Sequence, residues 1–568
     1  MRRFLNWRLN FVLGVIIIGG IIIISRLFYL QLFQHKHYKA QALGQQIGLM
    51  TVKGERGGIF CTSVSKEDSM PIEVKSLAIN KESWNLWVYP LQVRESKDFA
   101  KLLSGKTGLK EEEILKEIKD NQSPVILKKG LSKNEVDEIR SLKLNGIFFE
   151  KTSKRFYPQG EILAQVLGFV GGENIGQYGL EGYYDEVLQG KTVVKVPEDN
   201  FDYWTNRKTN SLDGGDLYLT IDYSIQLEAE RLLQQAREKL QIQSGQIIVM
   251  EPNSGKILTL ANYPFFNPNF YFKEKDISVF QNGAIQKLFE PGSILKPVTM
   301  AAALNEELLT PESTYIDKGS VSFGSQTIHN FNKKVYGEVT MTQVLEESIN
   351  TGAVFVQRKL GNKKFLEYLE KFSFFEKTGV DLQGEVYSRN ENLKKGPDIN
   401  YATASFGQGI ELTPLQVARA FCVFANGGRL VKPFIVEKVV KNGEEIVTKP
   451  VISPPILSGK AISQINSMLI SVVEKGFGGV AKIPGYYVAG KTGTAQIPRV
   501  GKRGYEPDKT IQSFVGYFPA FNPQFLILIK LDDPKVPVSA LSAVPIFKEL
   551  AQYIINHWKI PPDYSINP

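Results

Sequence analysis

Residues 9–25, between Arg8 and Arg26, carry no charge, and with Leu27, Phe28 and Leu30 the stretch approaches the roughly 20 apolar residues that cross a bilayer as a helix. Beyond it the pattern changes. From residue 31 to about residue 203, short β-like runs mix with two charged helical stretches at 111–119 and 131–142, joined by Gly- and Pro-containing turns. The turn cluster Ser211-Leu-Asp-Gly-Gly-Asp216 then precedes a β-rich run at 217–222 and a helical run at 225–240, which predicts a domain boundary near residue 210. Runs at 246–250 and 256–260, separated by Glu-Pro-Asn-Ser-Gly, predict a hairpin. Helical patterns dominate residues 294–425; β runs return at 486–489, 513–517 and 525–531, and a helix over 544–557 closes the chain. Strands at both ends of a helical middle predict an α/β (α+β) domain whose sheet is mostly antiparallel.

The three arginines before the apolar stretch, Arg2, Arg3 and Arg8, keep the short N-terminus in the cytoplasm by the positive-inside rule and put the rest outside, although Arg26, Lys36 and Lys39 weaken the asymmetry. Ala40-Gln-Ala42 has the form of a signal-peptidase site but lies far beyond the apolar run, so the helix reads as an uncleaved anchor. Composition removes several classes of function. At about 150 residues per domain, 568 residues suggest three to four units, and 43% hydrophobic residues with 22% charged ones belong to a folded globular chain. Cys61 and Cys422 with His35, His37, His329 and His557 make neither a disulfide framework nor a zinc site, so no metal is expected. Of the four histidines only His329 has nucleophile candidates nearby, so a serine enzyme here is expected to use a base other than histidine. The net charge of +9 is spread without an arginine-rich tract and does not indicate nucleic acid.

Candidate chemistry starts at Ser293-Ile-Leu-Lys296, which follows Glu290-Pro-Gly292, a turn that delivers Ser293 to a helix start with Lys296 on the same face one turn later. A lysine there can serve as base if burial, a second cation and the helix N-terminus displace its proton. Ser348-Ile-Asn350, at an inter-helix turn, offers a hydroxyl to relay a proton and a carboxamide to hold a substrate amide. Lys491-Thr492-Gly493-Thr494 continues a strand and offers a cation and hydroxyls for a carboxylate, with Gly493 leaving room for backbone approach. Each motif has decoys: Ser63-Val-Ser-Lys66; Ser83-Trp-Asn85, Ser388-Arg-Asn390 and Ser565-Ile-Asn567; Lys106-Thr-Gly108 and Lys377-Thr-Gly379. Order and context separate the sets, with Lys377 expected on a surface turn and Lys106 at the start of a charged helix. Residues 485–492 also satisfy the phosphate-loop pattern, but Tyr486 to Ala489 favours a strand, and the glycines and prolines at 493–507 oppose the helix that such a loop must open.

The ordered triple resembles the penicillin-recognising serine enzymes. The rest of the chain resembles one branch, the class B penicillin-binding proteins, closest to the division type. The likeness runs nearly end to end: Arg26-Leu-Phe-Tyr-Leu-Gln31, Arg56-Gly-Gly-Ile59, Arg155-Phe-Tyr-Pro158, Gly179-Leu-Glu181, Ala261-Asn-Tyr-Pro264 with Asn267-Pro-Asn269, Ser405-Phe-Gly-Gln-Gly409 with Thr413-Pro-Leu-Gln416, and Ser513-Phe-Val-Gly516. The resemblance implies a cytoplasmic stub and transmembrane anchor at 1–30, an elongated mixed pedestal (dimerisation-type) domain at 31–210, a transpeptidase domain with an antiparallel sheet flanked by helices at 211–560, and a tail at 561–568. It further implies Ser293 as acylated nucleophile, Lys296 as base, Ser348 as proton relay, Asn350 on a substrate amide, Lys491, Thr492 and Thr494 on a substrate carboxylate, and the backbone N–H groups of Ser293 and Thr494 as oxyanion hole. One departure stands out: after Ile59 the family usually continues with an Asp-Arg-Asn-Gly turn, where this chain has Phe60-Cys-Thr-Ser-Val-Ser-Lys66.

The implied function is a peptidoglycan D,D-transpeptidase that cross-links D-Ala-D-Ala stem peptides in cell division, is acylated by β-lactams, needs no cofactor, and works at the bacterial inner membrane with a glycosyltransferase and division or elongation proteins. An elongation-type enzyme and a non-enzymatic penicillin sensor are the alternatives. A sensor would normally need further membrane spans or a signalling domain.

Overall fold

The computed structural model describes residues 2–32, 50–63, 73–121, 123–172, 174–195, 212–499 and 504–565. They divide into two units, residues 1–56 with 189–214, and residues 57–188 with 215–568. In the first unit the helix Arg2–Leu32 contains Phe11–Tyr29, 19 residues of mean hydropathy 2.6, long and apolar enough to cross a membrane. Its other element is a two-stranded antiparallel ladder of Met50–Lys53 and Thr192–Lys195. The possible cleavage site at 40–42 and the predicted boundary near 210 lie outside the described residues.

The second unit is organised by a five-stranded antiparallel sheet, in the order Ile257–Tyr263, Ser244–Met250, Phe525–Asp532, Tyr505–Phe518, Ala489–Pro498. The central strands are apolar at successive positions because both faces are covered. Ile247 and Val249 join one core with residues of the helices Tyr223–Leu240 and Ala543–Trp558; Ile248 and Met250 join the other with residues of Lys296–Asn305, Pro414–Ala425 and Gly459–Glu474. The alternation of side chains along a strand sorts neighbours into opposite layers, so continuous hydrophobicity marks a sheet sandwiched between helices. The predicted hairpin is the pair Ser244–Met250 and Ile257–Tyr263.

A second sheet runs Glu444–Val447, Val436–Lys441, Asp216–Asp222, Ile59–Ser63, Glu73–Val88, Val125–Leu131, with Ile147–Phe156 also paired to Glu73–Val88. Its one parallel ladder joins Ile59–Ser63 to Asp216–Asp222, so strands from both sides of residue 210 share one sheet. Over the outer part of this sheet the helices Ser96–Thr107, Glu111–Asp120 and Lys133–Ser141 bury Leu103, Ile114 and Ile139 against Leu86, Val88 and Leu131. In place of the family's Asp-Arg-Asn-Gly turn, residues 60–63 belong to the strand Ile59–Ser63; residues 64–66 lie outside the described residues.

Four motifs scattered in the sequence meet around the end of the strand Ile147–Phe156. Arg155 donates from Nε to Glu181 at 2.6 Å and from Nη1 to the carbonyl of Gly57 at 2.8 Å, and Tyr157 adds its hydroxyl to the same carboxylate at 3.2 Å. The Arg155 and Glu181 side chains are 4% and 0% exposed, so the pair is desolvated and depends on these bonds. Asn269 brackets the backbone of Tyr157, accepting from its N–H and donating to its carbonyl, while Asn267 accepts from the Asn269 backbone and side chain.

The structure corrects the sequence reading in four places. The region 31–203 holds a 16-residue strand, Glu73–Val88, rather than short runs alone. The stretch 294–425 is not wholly helical: Ser320–Phe323 and Gln326–His329 form a hairpin, and Thr314–Asp317 pairs with Gly337–Thr340. The first of these had a signal, since Gly324-Ser325 is a two-residue turn with φ +59° at Gly324, flanked by Val321, Phe323 and Thr327. Residues 486–488 precede their strand, which begins at Ala489 after a turn at Pro484-Gly485 that brings Ile483 opposite Tyr486. Lys106 lies in the last turn of the helix Ser96–Thr107 instead of opening one.

Candidate active site

The chain reaches Ser293 through a turn built on two glycines. Gly292 has φ +60° and donates its N–H to the carbonyl of Gly407 at 2.9 Å; a Cβ on Gly407, itself at φ +81°, would lie 2.1 Å from the Gly292 carbonyl oxygen. Thr299 donates to the carbonyl of Ser405 at 2.8 Å, so the segment Ser405-Phe-Gly-Gln-Gly409 braces the turn that carries Ser293. After the turn, a single 3-10 turn, Gly292–Leu295, runs into the helix Lys296–Asn305, whose first turn tolerates Pro297 because that N–H has no helical partner. Ser293 is half-buried, whereas Lys296 is 1% exposed.

Ser348 joins the helix Met341–Glu346 to the helix Asn350–Leu360 with φ +53°, a left-handed conformation rare for serine. Behind it, Thr351 donates to Asp317 at 2.6 Å and Asn330 donates to the other oxygen of that carboxylate at 3.0 Å, anchoring the start of the second helix. The bend aims Ser348 between two lysines. Lys296 Nζ donates to the carbonyl of Ser348, to its Oγ at 3.2 Å and to Asn350 Oδ1 at 2.8 Å. Lys491 Nζ donates to the same Oγ at 3.0 Å. Asn350 in turn donates to the carbonyl of His329 at 3.1 Å, and that carbonyl is how His329 enters the site, its side chain being exposed. The backbone N–H of Lys296 donates to the carbonyl of Ser293, closing the 3-10 turn, and no side-chain hydrogen bond joins Ser293 to Lys296 among the described residues.

Lys491, 0% exposed, lies inside the strand Ala489–Pro498. Gly493 lets this edge strand close on the turn that carries Ser293: a Cβ there would stand 2.4 Å from Ser513 Oγ, 2.9 Å from Ile294 Cγ2 and 3.2 Å from the carbonyl of Pro291. Thr492 is buried and Thr494 half-buried, with its hydroxyl 3.5 Å from that of Ser539. The fold thus gathers Lys296, Ser348, Asn350 and Lys491 into one hydrogen-bonded cluster and lays Gly493 against the turn that holds Ser293. The decoys go elsewhere. Lys106 pairs with Glu138 at 3.1 Å, Lys377 is exposed while Thr378 is captured by Glu385, and Ser83 lies in the strand Glu73–Val88. Ser63-Val-Ser-Lys66 and Ser565-Ile-Asn567 extend beyond the described residues. The phosphate-loop alternative fails because the strand continues to Pro498 where that motif needs a helix.

Neither Lys296 nor Lys491 has a carboxylate partner among the described residues, and both are desolvated. Burial, then the Lys491 charge, holds Lys296 well below its ordinary value. Burial pushes Lys491 down to about 7. A lysine with a depressed folded-state pKa has lost its proton where the unfolded chain still holds one, so this group makes stability rise with pH between about 7 and its unfolded value of 10.5. Replacing Lys491 by methionine is therefore expected to stabilise the full-length protein in detergent by about 1–2 kcal/mol at pH 6.5, with the gain shrinking at pH 9.5. Paired melting curves at the two pH values check this; a gain that grows with pH contradicts it.

Sequence reasoning quoted Gly407 without a role and missed Ser539 and the His329 carbonyl altogether. None of the three carries a local chemical signal, because each acts through a neighbour distant in sequence.

Residues 245–552 match the penicillin binding protein transpeptidase domain and residues 72–219 the penicillin-binding protein dimerisation domain. The chain is 33% identical over 546 residues to stage V sporulation protein D of Bacillus subtilis, an alignment that covers 93% of this chain and 82% of that one. It is 27% identical over 575 residues to the peptidoglycan D,D-transpeptidase FtsI of Escherichia coli K12, covering 99% and 93%. Penicillin-binding protein 2X from Streptococcus thermophilus shares the fold with a TM-score of 0.71 at 22% identity, over 89% of this chain and 80% of that one.

Proposed function

Because this chain belongs to the penicillin-binding protein transpeptidase family, we propose that it is a peptidoglycan D,D-transpeptidase working through an acyl-enzyme on Ser293. The observation that carries this reading is the pair of buried lysines sharing the Ser348 hydroxyl beside the nucleophile turn. Lys296, its proton affinity lowered by burial and by Lys491, takes the proton of Ser293 as Oγ attacks the carbonyl of the penultimate D-Ala. Backbone N–H groups of Ser293 and Thr494 receive the oxyanion, which the close approach at Gly493 supports. The C–N bond then breaks, and the departing D-Ala amine collects its proton through Ser348, which bridges the two lysines. An amine from a neighbouring stem attacks the ester, forms the cross-link and returns the proton to Ser293. Asn350 holds a substrate amide, and Lys491, Thr492 and Thr494 hold the terminal carboxylate. Labelling with a fluorescent penicillin followed by peptide mapping tests the whole scheme; label on any peptide other than the one containing Ser293, or none, overturns it.

The decoys supply a sharper comparison. Lys491→Ala is expected to raise the acylation barrier by about 2 kcal/mol or more, as for loss of a charged contact, while Lys377→Ala and Lys106→Ala stay within about 0.5 kcal/mol of the parent. Second-order acylation rates with one β-lactam decide between them; equal losses at Lys377 and Lys491 would misplace the carboxylate site.

The same reading divides the chain into a pedestal at 31–210 and a catalytic domain at 211–560, anchored with the N-terminus in the cytoplasm and the bulk outside. Protease added to spheroplasts should then digest residues beyond about 31, and protection of that region would reverse the topology. The sequence resemblance to division-type enzymes favours a division role, with a membrane glycosyltransferase as partner. The 33% identity to stage V sporulation protein D favours a second setting for the same chemistry, in sporulation. Depletion separates them: filamentous cells indicate division, and normal growth with defective spores indicates sporulation.

A further inference from the structure

The edge strand Ala489–Pro498 pairs on one side with Tyr505–Phe518, and the register sets Thr494 opposite Gln512. Gln512 is 0% exposed and ties down the segment that follows the neighbouring strand: its Nε2 donates to the carbonyl of Val536 at 2.6 Å, and its Oε1 accepts from Ser542 at 2.5 Å. At the near end of that segment the N–H of Asp533 donates to the carbonyl of Thr510 at 2.8 Å. Held at both ends, residues 533–542 carry the 3-10 turn Ser539–Leu541 against the edge strand. Ser539 is 3% exposed, and its one side-chain hydrogen bond among the described residues comes from Thr494 Oγ1 at 3.5 Å.

We infer that Ser539 is a positioning residue that orients the Thr494 hydroxyl toward the carboxylate of the bound stem peptide or β-lactam. The inference rests on the transpeptidase reading above and deepens it. A bond of 3.5 Å is long and weak, so Thr494 gives it up at small cost when an anionic acceptor arrives, and a hydroxyl-to-carboxylate bond is the stronger one. The Ser539 hydroxyl is a free rotor and then turns to donate to the Thr494 oxygen, forming a chain from the buried serine through the half-buried threonine to the ligand. Because Gln512 and the Thr510 carbonyl fix the segment beforehand, this takes only two hydroxyl rotations and no movement of backbone.

The test compares benzylpenicillin with its methyl ester, which keeps the β-lactam but removes the negative charge. In the full-length protein, Ser539→Ala is expected to slow acylation by benzylpenicillin about fivefold and to leave the slower reaction of the ester within about twofold. In a Thr494→Ala background the Ser539→Ala penalty should vanish, since the serine acts through the threonine. An equal penalty with acid and ester, no penalty with either, or full additivity with Thr494→Ala overturns the inference. A parent protein that benzylpenicillin does not acylate at Ser293 would instead sink the transpeptidase reading.

Discussion

Ser293→Ala is expected to abolish covalent labelling by penicillin while shifting the melting temperature of the full-length protein by less than about 2 °C. The hydroxyl is half-buried, and the turn that carries it is held by Gly292, Gly407 and the packing of Ile294 rather than by the serine. Removing one oxygen atom therefore deletes the nucleophile and leaves the scaffold. Gel fluorescence and a melting curve on the same preparation check both halves. Residual labelling at the parental rate would place the nucleophile elsewhere, and loss of folding would mean that the serine is structural.

The second large effect falls far from the chemistry. Arg155→Ala is expected to destabilise the protein by about 3–5 kcal/mol, because it removes the guanidinium that donates to Glu181 and to the Gly57 carbonyl and leaves both acceptors in the interior. The double variant Arg155→Met with Glu181→Leu should recover most of that loss, since no carboxylate is then left buried and the apolar side chains fill the space. Urea unfolding of parent, single and double variants measures the coupling; a single variant within about 1 kcal/mol of the parent would show that the pair contributes little.

Turn and periodicity signals were legible wherever their cause is local. The hairpin around Glu251 to Gly255 and the strand Phe525–Asp532 announce themselves through runs of β-branched and apolar residues, and the helix Tyr223–Leu240 through its spacing together with Asp222, which caps it by accepting from Ser224 and Ile225. The 294–425 region was harder to read. Thr314–Asp317 and Gly337–Thr340 are four-residue strands whose pairing spans some twenty residues, too short for alternation to stand out among the helices around them. Lys106 was placed at the wrong end of its helix because its neighbours, Lys110 to Glu113, carry the charge pattern of the next one; Gly108, with φ +71°, marks the break.

The amino-acid sequence by itself determined the apolar N-terminal helix, the strands that flank a largely helical middle and the order in which Ser293, Lys296, Ser348, Asn350 and Lys491 occur. These follow from hydrophobicity, turn chemistry and spacing acting over a few residues. It also contained decoys: local context put Lys491-Thr-Gly493 on a strand and Lys377-Thr-Gly379 on a surface turn, but the tripeptide itself is the same and carries no difference in chemistry. Tertiary structure made that distinction, because a lysine's proton affinity depends on how much water surrounds it and on which charges lie within a few ångströms. Lys491 is enclosed in a sheet edge beside Ser348, whereas Lys377 stays in solvent. The convergence of Gly57, Arg155, Glu181 and the Asn267-Pro-Asn269 segment, and the glycine contact between positions 292 and 407, were decided in the same way, since desolvation and steric fit arise from neighbours that only the folded chain brings together.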